Sequence, residues 1–260
     1  MYEPDGIGIH AAKLAFGYLQ LARRLGVRVH AASPVLEWNT TGGSHRLVTP
    51  GGTIRARAVA VATGGYTAPS MHPLTRHRLL PVLSNSVVTR TLTPAEFAQC
   101  PFRSQAFYTD TRTLRHYYRQ LPYGRVHIGS RSSVTGANAT QPKHLGRLRI
   151  ALARKFPALA GIEIDYSWWG WVDVSHDLMP RIFQPDRTQT VYYALAYGGN
   201  GVMYSAQAGR RLAQLVARRD ALPRLPIFQS ALSGRGLLTP FRRLGQRALY
   251  LWYHAKDEAG

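Results

Sequence analysis

Hydrophobic and polar positions along this chain recur with two periods, and the changes of period mark the elements. Leu14, Tyr18, Leu21, Ala22 and Leu25 recur at helical spacing within residues 8–25, and Gly26 follows as a stop. That pattern predicts an amphipathic helix. Val27-Arg28-Val29-His30 then alternates with period two, as a strand does. Val35-Leu36-Glu37-Trp38 and Arg46-Leu47-Val48-Thr49 predict two more strands, and Pro50-Gly51-Gly52 predicts a hairpin turn between Val48 and Ile54. The run Ala58-Val59-Ala60-Val61-Ala62 is apolar without alternation and ends in Thr63-Gly64-Gly65. Runs of this kind suit a parallel strand covered on both faces.

From Leu79 to Ile164 the character changes. Residues 82–89, 105–108, 114–119 and 126–129 each look like strands, and Pro122-Tyr123-Gly124 predicts a turn between the last two. A helix rich in Arg and Leu is predicted from Leu145 to Phe156, stopped by Pro157. The expectation is a mixed or antiparallel sheet with a helix on it, inserted between two halves of a parallel α/β domain. Its boundaries are residues 1–78 and 165–222 for the parallel domain and 79–164 for the insertion. Residues 223–260 form a tail of Pro-punctuated loops and a basic helix bearing Phe241, Leu244, Leu249 and Trp252. Docking on the domain is the expectation for that helix; a place at a membrane surface is the alternative.

The densest local signal lies further on. Val191-Tyr192-Tyr193-Ala194-Leu195-Ala196 enters Tyr197-Gly198-Gly199-Asn200-Gly201-Val202 like a buried strand, and Ser205-Ala206-Gln207-Ala208-Gly209 leaves it like a small-faced helix. A strand feeding a glycine turn that opens a helix aims backbone N–H groups and the helix's positive end at a ligand's negative atoms.

Composition narrows the function classes. The 260 residues are 45% hydrophobic and 18% charged, enough for a real core and too few charges for a disordered polyelectrolyte. No run reaches the roughly 18 to 20 apolar residues of a membrane span, and Met1-Tyr2-Glu3-Pro4-Asp5 does not begin a secretory signal. Cys100 stands alone, which excludes an intramolecular disulfide or a cysteine-based zinc site and suits a reducing cytoplasm. The formal net charge is +20. Its arginines are spread along the chain in pairs such as Arg23-Arg24 and Arg210-Arg211, with no nucleic-acid-binding motif beside them. A solvated basic surface or a site for an anionic ligand accounts for them better than nucleic acid does.

Two tempting motifs fail on physical grounds. Gly6-Ile7-Gly8-Ile9-His10-Ala11 has the letters of the dinucleotide fingerprint, but the stretch before it, with Glu3, Pro4 and Asp5, cannot be the buried strand the fingerprint needs. It is better placed as the loop and N-terminal cap of the first helix. In Ser175-His176-Asp177, three consecutive side chains cannot form a nucleophile–base–orienter relay, and no G-x-S-x-G elbow occurs. No metal-ligand spacing of histidines beside a carboxylate was found either, so no metal site is expected.

Taken in order, Asp5…Gly8-Ile9-His10…Gly26-Val27, Thr49-Pro50-Gly51-Gly52-Thr53-Ile54-Arg55-Ala56, Val61-Ala62-Thr63-Gly64-Gly65-Tyr66-Thr67, Tyr117-Tyr118-Arg119, Gly170…Asp177-Leu178-Met179-Pro180 and Tyr197 to Val202 resemble the FAD-dependent amine and amino-acid oxidoreductases. This is the D-amino-acid oxidase family, and the gamma-glutamylputrescine oxidase and glycine oxidase branch looks most similar. The resemblance implies an α/β fold: an FAD-binding parallel-sheet domain, incomplete here, with an antiparallel or mixed-sheet substrate domain inserted. It also implies that the first strand, the GxGxxG turn and the acidic ribose-binding residue lie upstream, so the chain is expected to be the C-terminal part of such an enzyme.

What the resemblance implies for the residues is specific. The N–H groups of Gly199, Asn200, Gly201 and Val202 would face the N1–C2=O edge of the flavin, with Gly198 and Gly201 letting the backbone approach. Ala62, Thr63 and Gly64 would line the cofactor, and Val35 would touch its adenosine half. Tyr117 and Arg119 would share the substrate face of a strand roofing the flavin, where Arg119 could clamp a carboxylate; an outward-facing Arg119 is the alternative. Cys100 lies far from the place where some relatives attach flavin, so non-covalent FAD is expected. The partners expected are a small amine or amino acid and a fragment carrying GxGxxG. The competing reading is a non-catalytic basic module for nucleic acid or another polyanion, or an inactive fragment of a split oxidoreductase.

Overall fold

In the computed structural model, residues 7–73, 75–102, 104, 106–134, 140–218, 222–233 and 241–259 are described. The chain divides into two compact units. The first takes the described residues of Met1–Thr63, Thr67–Arg76 and Met179–Leu232; the second takes those of Gly64–Tyr66, His77–Leu178 and Ser233–Gly260.

In the first unit, α1 (Ala11–Arg24) forms where the periodicity places it. His10 caps it by accepting from the Lys13 N–H at 3.3 Å, and Gly26 ends it with a left-handed φ of 85°. None of its residues is buried, so the stripe carrying Phe16, Tyr18 and Leu21 lies open. Residues 27–30 are not a strand: Val27 and Val29 are exposed and pair with no strand among the described residues. Alternation alone cannot make a strand whose backbone lacks a hydrogen-bonded neighbour. Next come β1 (Glu37–Thr41), β2 (Ser44–Thr49) and β3 (Gly52–Ala56), an antiparallel meander in which Thr49 sits opposite Gly52 across the expected turn. His45, fully buried beneath it, bridges to the Thr190 hydroxyl at 3.0 Å.

The second sheet of this unit has the order β10 (Arg181–Phe183), β11 (Val191–Leu195), β4 (Val59–Val61). β4 and β11 run parallel, with Val59 opposite Val191, as their unbroken apolar runs require; β10 is antiparallel to β11. All five residues of β11 are buried, and the Tyr193 hydroxyl accepts from the Leu232 N–H at 2.6 Å. The helix α4 (Gly201–Ala217) lays Ala208 against Ile182 and Ala194, with Tyr204, Leu212 and Phe228 around them. Phe228 stands on the short helix α5 (Pro226–Gln229).

The second unit is built on a five-stranded antiparallel sheet in the order β6 (Tyr108–Thr109), β7 (His116–Leu121), β8 (Arg125–Ser133), β5 (Val82–Thr89), β9 (Ile164–Val172). The Pro122-Tyr123-Gly124 turn joins β7 and β8 through left-handed Tyr123 and Gly124. A capping box of Thr93 and Glu96 starts α2 (Pro94–Ala98), and the Arg90 guanidinium on Glu96 holds that carboxyl at about 2. The helix α3 (Pro142–Lys155) ends at Phe156, before Pro157. Val87, Val126, Ile128, Leu148, Leu152 and Phe156 make the core between sheet and helix, and Cys100 is buried in it.

The expected boundary at residue 165 falls inside β9, and the compact unit extends to Leu178. The Trp168-Trp169-Gly170-Trp171 run is an edge strand paired with β5 along its whole length. The tail is also shared out: residues up to Leu232 belong to the first unit, and α6 (Arg242–Ala259) to the second. Polar contacts dock α6: Asp257 accepts from the Thr113 and Leu114 N–H groups, and Arg243 donates to the Pro81 carbonyl at 3.0 Å. Its apolar residues Leu244, Leu249, Leu251 and Trp252 stay exposed.

Candidate functional site

In the second unit the sheet has two chemically different faces. Tyr118, Val126, Ile128 and Val87 turn towards α3 and the core. Strand alternation puts the intervening residues on the other face. The registers arrange these in rows across β7, β8, β5 and β9: Tyr117, Gly129, Ser86 and Trp168 in one, then Arg119, His127, Val88 and Tyr166 in the next. Tyr117 and Arg119 therefore share a face, as alternation predicts, and it is the face away from α3.

The contacts on this face are close. Gly129 leaves space that the Tyr117 ring and the Ser86 hydroxyl fill: a Cβ at Gly129 would lie 2.4 Å from the Tyr117 ring and 2.6 Å from Ser86 Oγ. The Tyr117 hydroxyl is 2.6 Å from Ser84 Oγ. Arg119 stacks its guanidinium over Phe107, 4.4 Å from the ring centroid, and has no ion-pair partner among the described residues. His127 lies parallel to the Trp168 indole at 5.5 Å and 5.9 Å from the Tyr117 ring. Its Nε2 is buried with no hydrogen-bond partner among the described residues. Burial, and secondarily the Arg119 charge, pull the imidazole down to about 4. The result is an aromatic-walled surface that holds the stacked Arg119, the neutral His127 imidazole and the hydrogen-bonded Tyr117 phenol. Phe107, Tyr166 and Trp168 remain exposed on it. Residues 126–129 look like a strand from sequence, but only the register brings His127 and Trp168 beside Tyr117.

In the first unit, Gly198 and Gly199 take left-handed φ values of 63° and 103°, turning the chain from β11 into α4. Asn200 occupies the N-cap position, yet its side chain makes no capping bond. The Asn200 N–H donates to the Tyr197 carbonyl at 3.0 Å, so it is committed to the turn, unlike the expectation that all four N–H groups point at a ligand. Gly201 and Val202 begin the helix, where N–H groups have no intrahelical acceptor. Ala62 and Thr63 lie exposed just beyond β4, with the Thr63 hydroxyl 2.6 Å from that of Thr67. Val35 is also exposed, just ahead of β1. Gly64 belongs to the second unit, opening the 3-10 turn Gly64–Tyr66 with φ 54°. The next residue packs on β9 so tightly that a Cβ at Gly65 would lie 2.6 Å from Trp171 Cβ.

The rejected relay stays rejected. The Ser175 hydroxyl donates straight to the Asp177 carboxylate at 3.0 Å, with no imidazole between them.

Three comparisons bear on these surfaces. The sequence matches the family described as "DAO: FAD dependent oxidoreductase" over residues 1–215. It is 30% identical over 266 aligned residues to the gamma-glutamylputrescine oxidoreductase of Escherichia coli (strain K12), covering 100% of this chain and 59% of that protein. The glycine oxidase of Bacillus subtilis (strain 168) is 21% identical, with 83% of this chain and 56% of the relative covered. Among solved structures, glycine oxidase from Geobacillus kaustophilus superposes with a TM-score of 0.69 at 22% identity, over 86% of this chain and 58% of that one. The chain thus spans somewhat over half the length of such relatives and shares their fold. With the match covering most of its length, the chain belongs to the DAO family of FAD-dependent oxidoreductases.

Proposed function

We propose that this chain is the C-terminal portion of an FAD-dependent oxidoreductase that oxidises the C–N bond of a small amine or amino acid, with the cofactor held non-covalently. The observation that carries the reading is the start of α4: a buried strand, two left-handed glycines and a long helix whose N-cap side chain is not used. Such a start leaves the Gly201 and Val202 N–H groups for an external acceptor and so fits the electron-rich edge of a flavin. When bound, FAD supplies the two-electron acceptor for the oxidation.

The chain's own residues do the rest. Arg119, held flat on Phe107, presents its fork to a substrate carboxylate. His127 stays uncharged at neutral pH and adds no second cation beside it. Tyr117, tied to Ser84, offers a phenol for orienting the amine, and Trp168 and Tyr166 give aromatic walls beside it. Gamma-glutamylputrescine and glycine, in the relatives' names, both pair an amine with a carboxylate-bearing group, which suits this combination.

A second element of the proposal is a partner segment carrying the GxGxxG turn, on this polypeptide or another. It is favoured by three features of the first unit: the uncovered apolar stripe of α1, the exposed Val27 and Val29, and β4 at the edge of its sheet. An open strand edge and bare apolar surface are each features that another strand or helix can cover. The test is the visible spectrum of the purified chain after incubation with FAD and desalting, repeated with a fragment supplying a strand–GxGxxG–helix unit. A flavin band that is retained, or that appears on adding the fragment, supports the reading. No band in either case sinks it.

A further inference from the structure

A second concave site lies in the second unit, on the opposite face of the sheet from Tyr117. It is a cavity of about 470 Å³ between the sheet, α3 and α6. Its walls carry Arg112, Arg131, Arg147, Arg154 and Lys155, against Glu258 as the carboxylate in the lining. His116 and His254 line it too, and the buried Ser130 and Leu114 form part of its floor. Asp110 and Asp257 flank it: Asp110 accepts from Lys155 at 2.8 Å, and Asp257 is committed to two backbone N–H groups. Counting them still leaves an excess of cations.

Two of those cations already show what the cleft can hold. Arg112 donates to one oxygen of Glu258 at 2.7 Å, and Arg154 donates to the other at 3.0 Å. Two guanidiniums thus converge on a single oxyanion, which comes from the last turn of α6. Arg147 is exposed on the same wall and pairs with no carboxylate among the described residues. Burial lowers the pKa of His254, and Arg147 adds to the effect, which marks a locally positive field.

We propose that this cleft binds a small polyanion of the phosphoryl class, with its phosphate chain seated on Arg147 and on the Arg112–Arg154 pair that Glu258 now occupies. Glu258, with Asp110 and Asp257 beside it, carries less charge than the five lining cations; a di- or triphosphate chain has the charge and the oxygens to engage Arg147 and the Arg112–Arg154 pair together. The volume suits a molecule of nucleotide size. His116 lines the cleft and its neighbour Tyr117 lies on the opposite face, so the cleft and the proposed substrate surface use the two faces of one sheet. The inference does not rest on the oxidoreductase reading.

The test is calorimetric titration of the full chain with tripolyphosphate, ATP and citrate, at low salt and at 0.3 M salt. Saturable binding of tripolyphosphate is expected, with citrate at least about tenfold weaker and a fall in affinity at the higher salt. Equal binding of ATP assigns the site to the phosphate chain; tighter binding of ATP assigns it to the nucleotide. Arg147→Gln, on an exposed position, should weaken binding by roughly tenfold, while Arg119→Gln on the other face should not change it. Absence of saturable binding overturns the proposal. So does citrate binding as tightly as tripolyphosphate, or ATP binding that survives Arg147→Gln and is lost in Gly201→Val.

Discussion

The His127 imidazole stacks on the Trp168 indole with ring planes 6° apart and centroids 5.5 Å apart, across two strand registers and 41 positions of sequence. That stacking helps enclose a histidine whose pKa falls to about 4, chiefly through burial and then through Arg119. A folded-state pKa below the unfolded value of about 6.5 means that the unfolded chain takes up the proton first as pH falls. This site therefore costs no stability above about 6.5 and takes stability away progressively from there towards 4. Urea denaturation across that window should show a steeper acid loss for the parent than for His127→Phe. Equal slopes would remove His127 as the cause.

Arg119 should report on two quantities at once. Arg119→Gln removes the charge that repels the His127 imidazolium, so the His127 titration followed by NMR should move upward, towards its ordinary value. With the flavin-loaded enzyme, the same substitution should cost about 10- to 100-fold in kcat/KM for carboxylate-bearing amines, the worth of a charge-assisted pair. Amines without a carboxylate should lose little. A loss that is uniform across both classes would place Arg119 outside substrate binding.

Gly65 and Gly129 predict different costs for the same added methyl group. At Gly65 the new Cβ meets Trp171 backbone at 2.9 Å as well as its Cβ at 2.6 Å, and neither can swing away. At Gly129 it meets the Tyr117 ring and the Ser86 hydroxyl, which can rotate at the expense of the Ser84–Tyr117 hydrogen bond. Both substitutions to Ala should destabilise by about 1–3 kcal/mol, with Gly65→Ala the more severe. Tyr117 fluorescence or NMR should change only for Gly129→Ala.

Gly201 separates folding from cofactor approach. A Cβ there would meet the Tyr197 ring at 3.7 Å, an ordinary contact, and alanine suits a helix better than glycine. Gly201→Ala should leave the circular dichroism spectrum and melting temperature unchanged or slightly improved while weakening FAD uptake, and Gly201→Val should abolish uptake. Undiminished FAD affinity in both would mean that the start of α4 does not face the cofactor.

Much of the fold can be read from local sequence. The Leu14–Leu25 periodicity gives α1, Thr49-Pro50-Gly51-Gly52 gives the hairpin, and Phe156-Pro157 ends α3, because caps, turns and periods act within a few residues. Tyr117 and Arg119 share a face for the same reason: alternation is a property of one strand.

Other features were decided only by partners distant in sequence. Residues 27–30 alternate like a strand but pair with no strand among the described residues, and the Trp168–Trp171 run, without clean alternation, becomes an edge strand because β5 offers it a full set of backbone groups. The candidate substrate face depends on register. His127 comes beside Tyr117 and Trp168 only because β8 lies between β7 and β5 and β5 carries β9, so one residue of slip would turn these side chains into the core. The cationic cleft is likewise invisible in one dimension: α6 closes it because Asp257 and Glu258 accept hydrogen bonds from a loop more than a hundred residues earlier. The sequence by itself determined the family and those elements that caps, turns and periods define; the pairing of strands decided the remaining elements and which side chains meet, since a hydrogen-bond ladder fixes positions that no local propensity encodes.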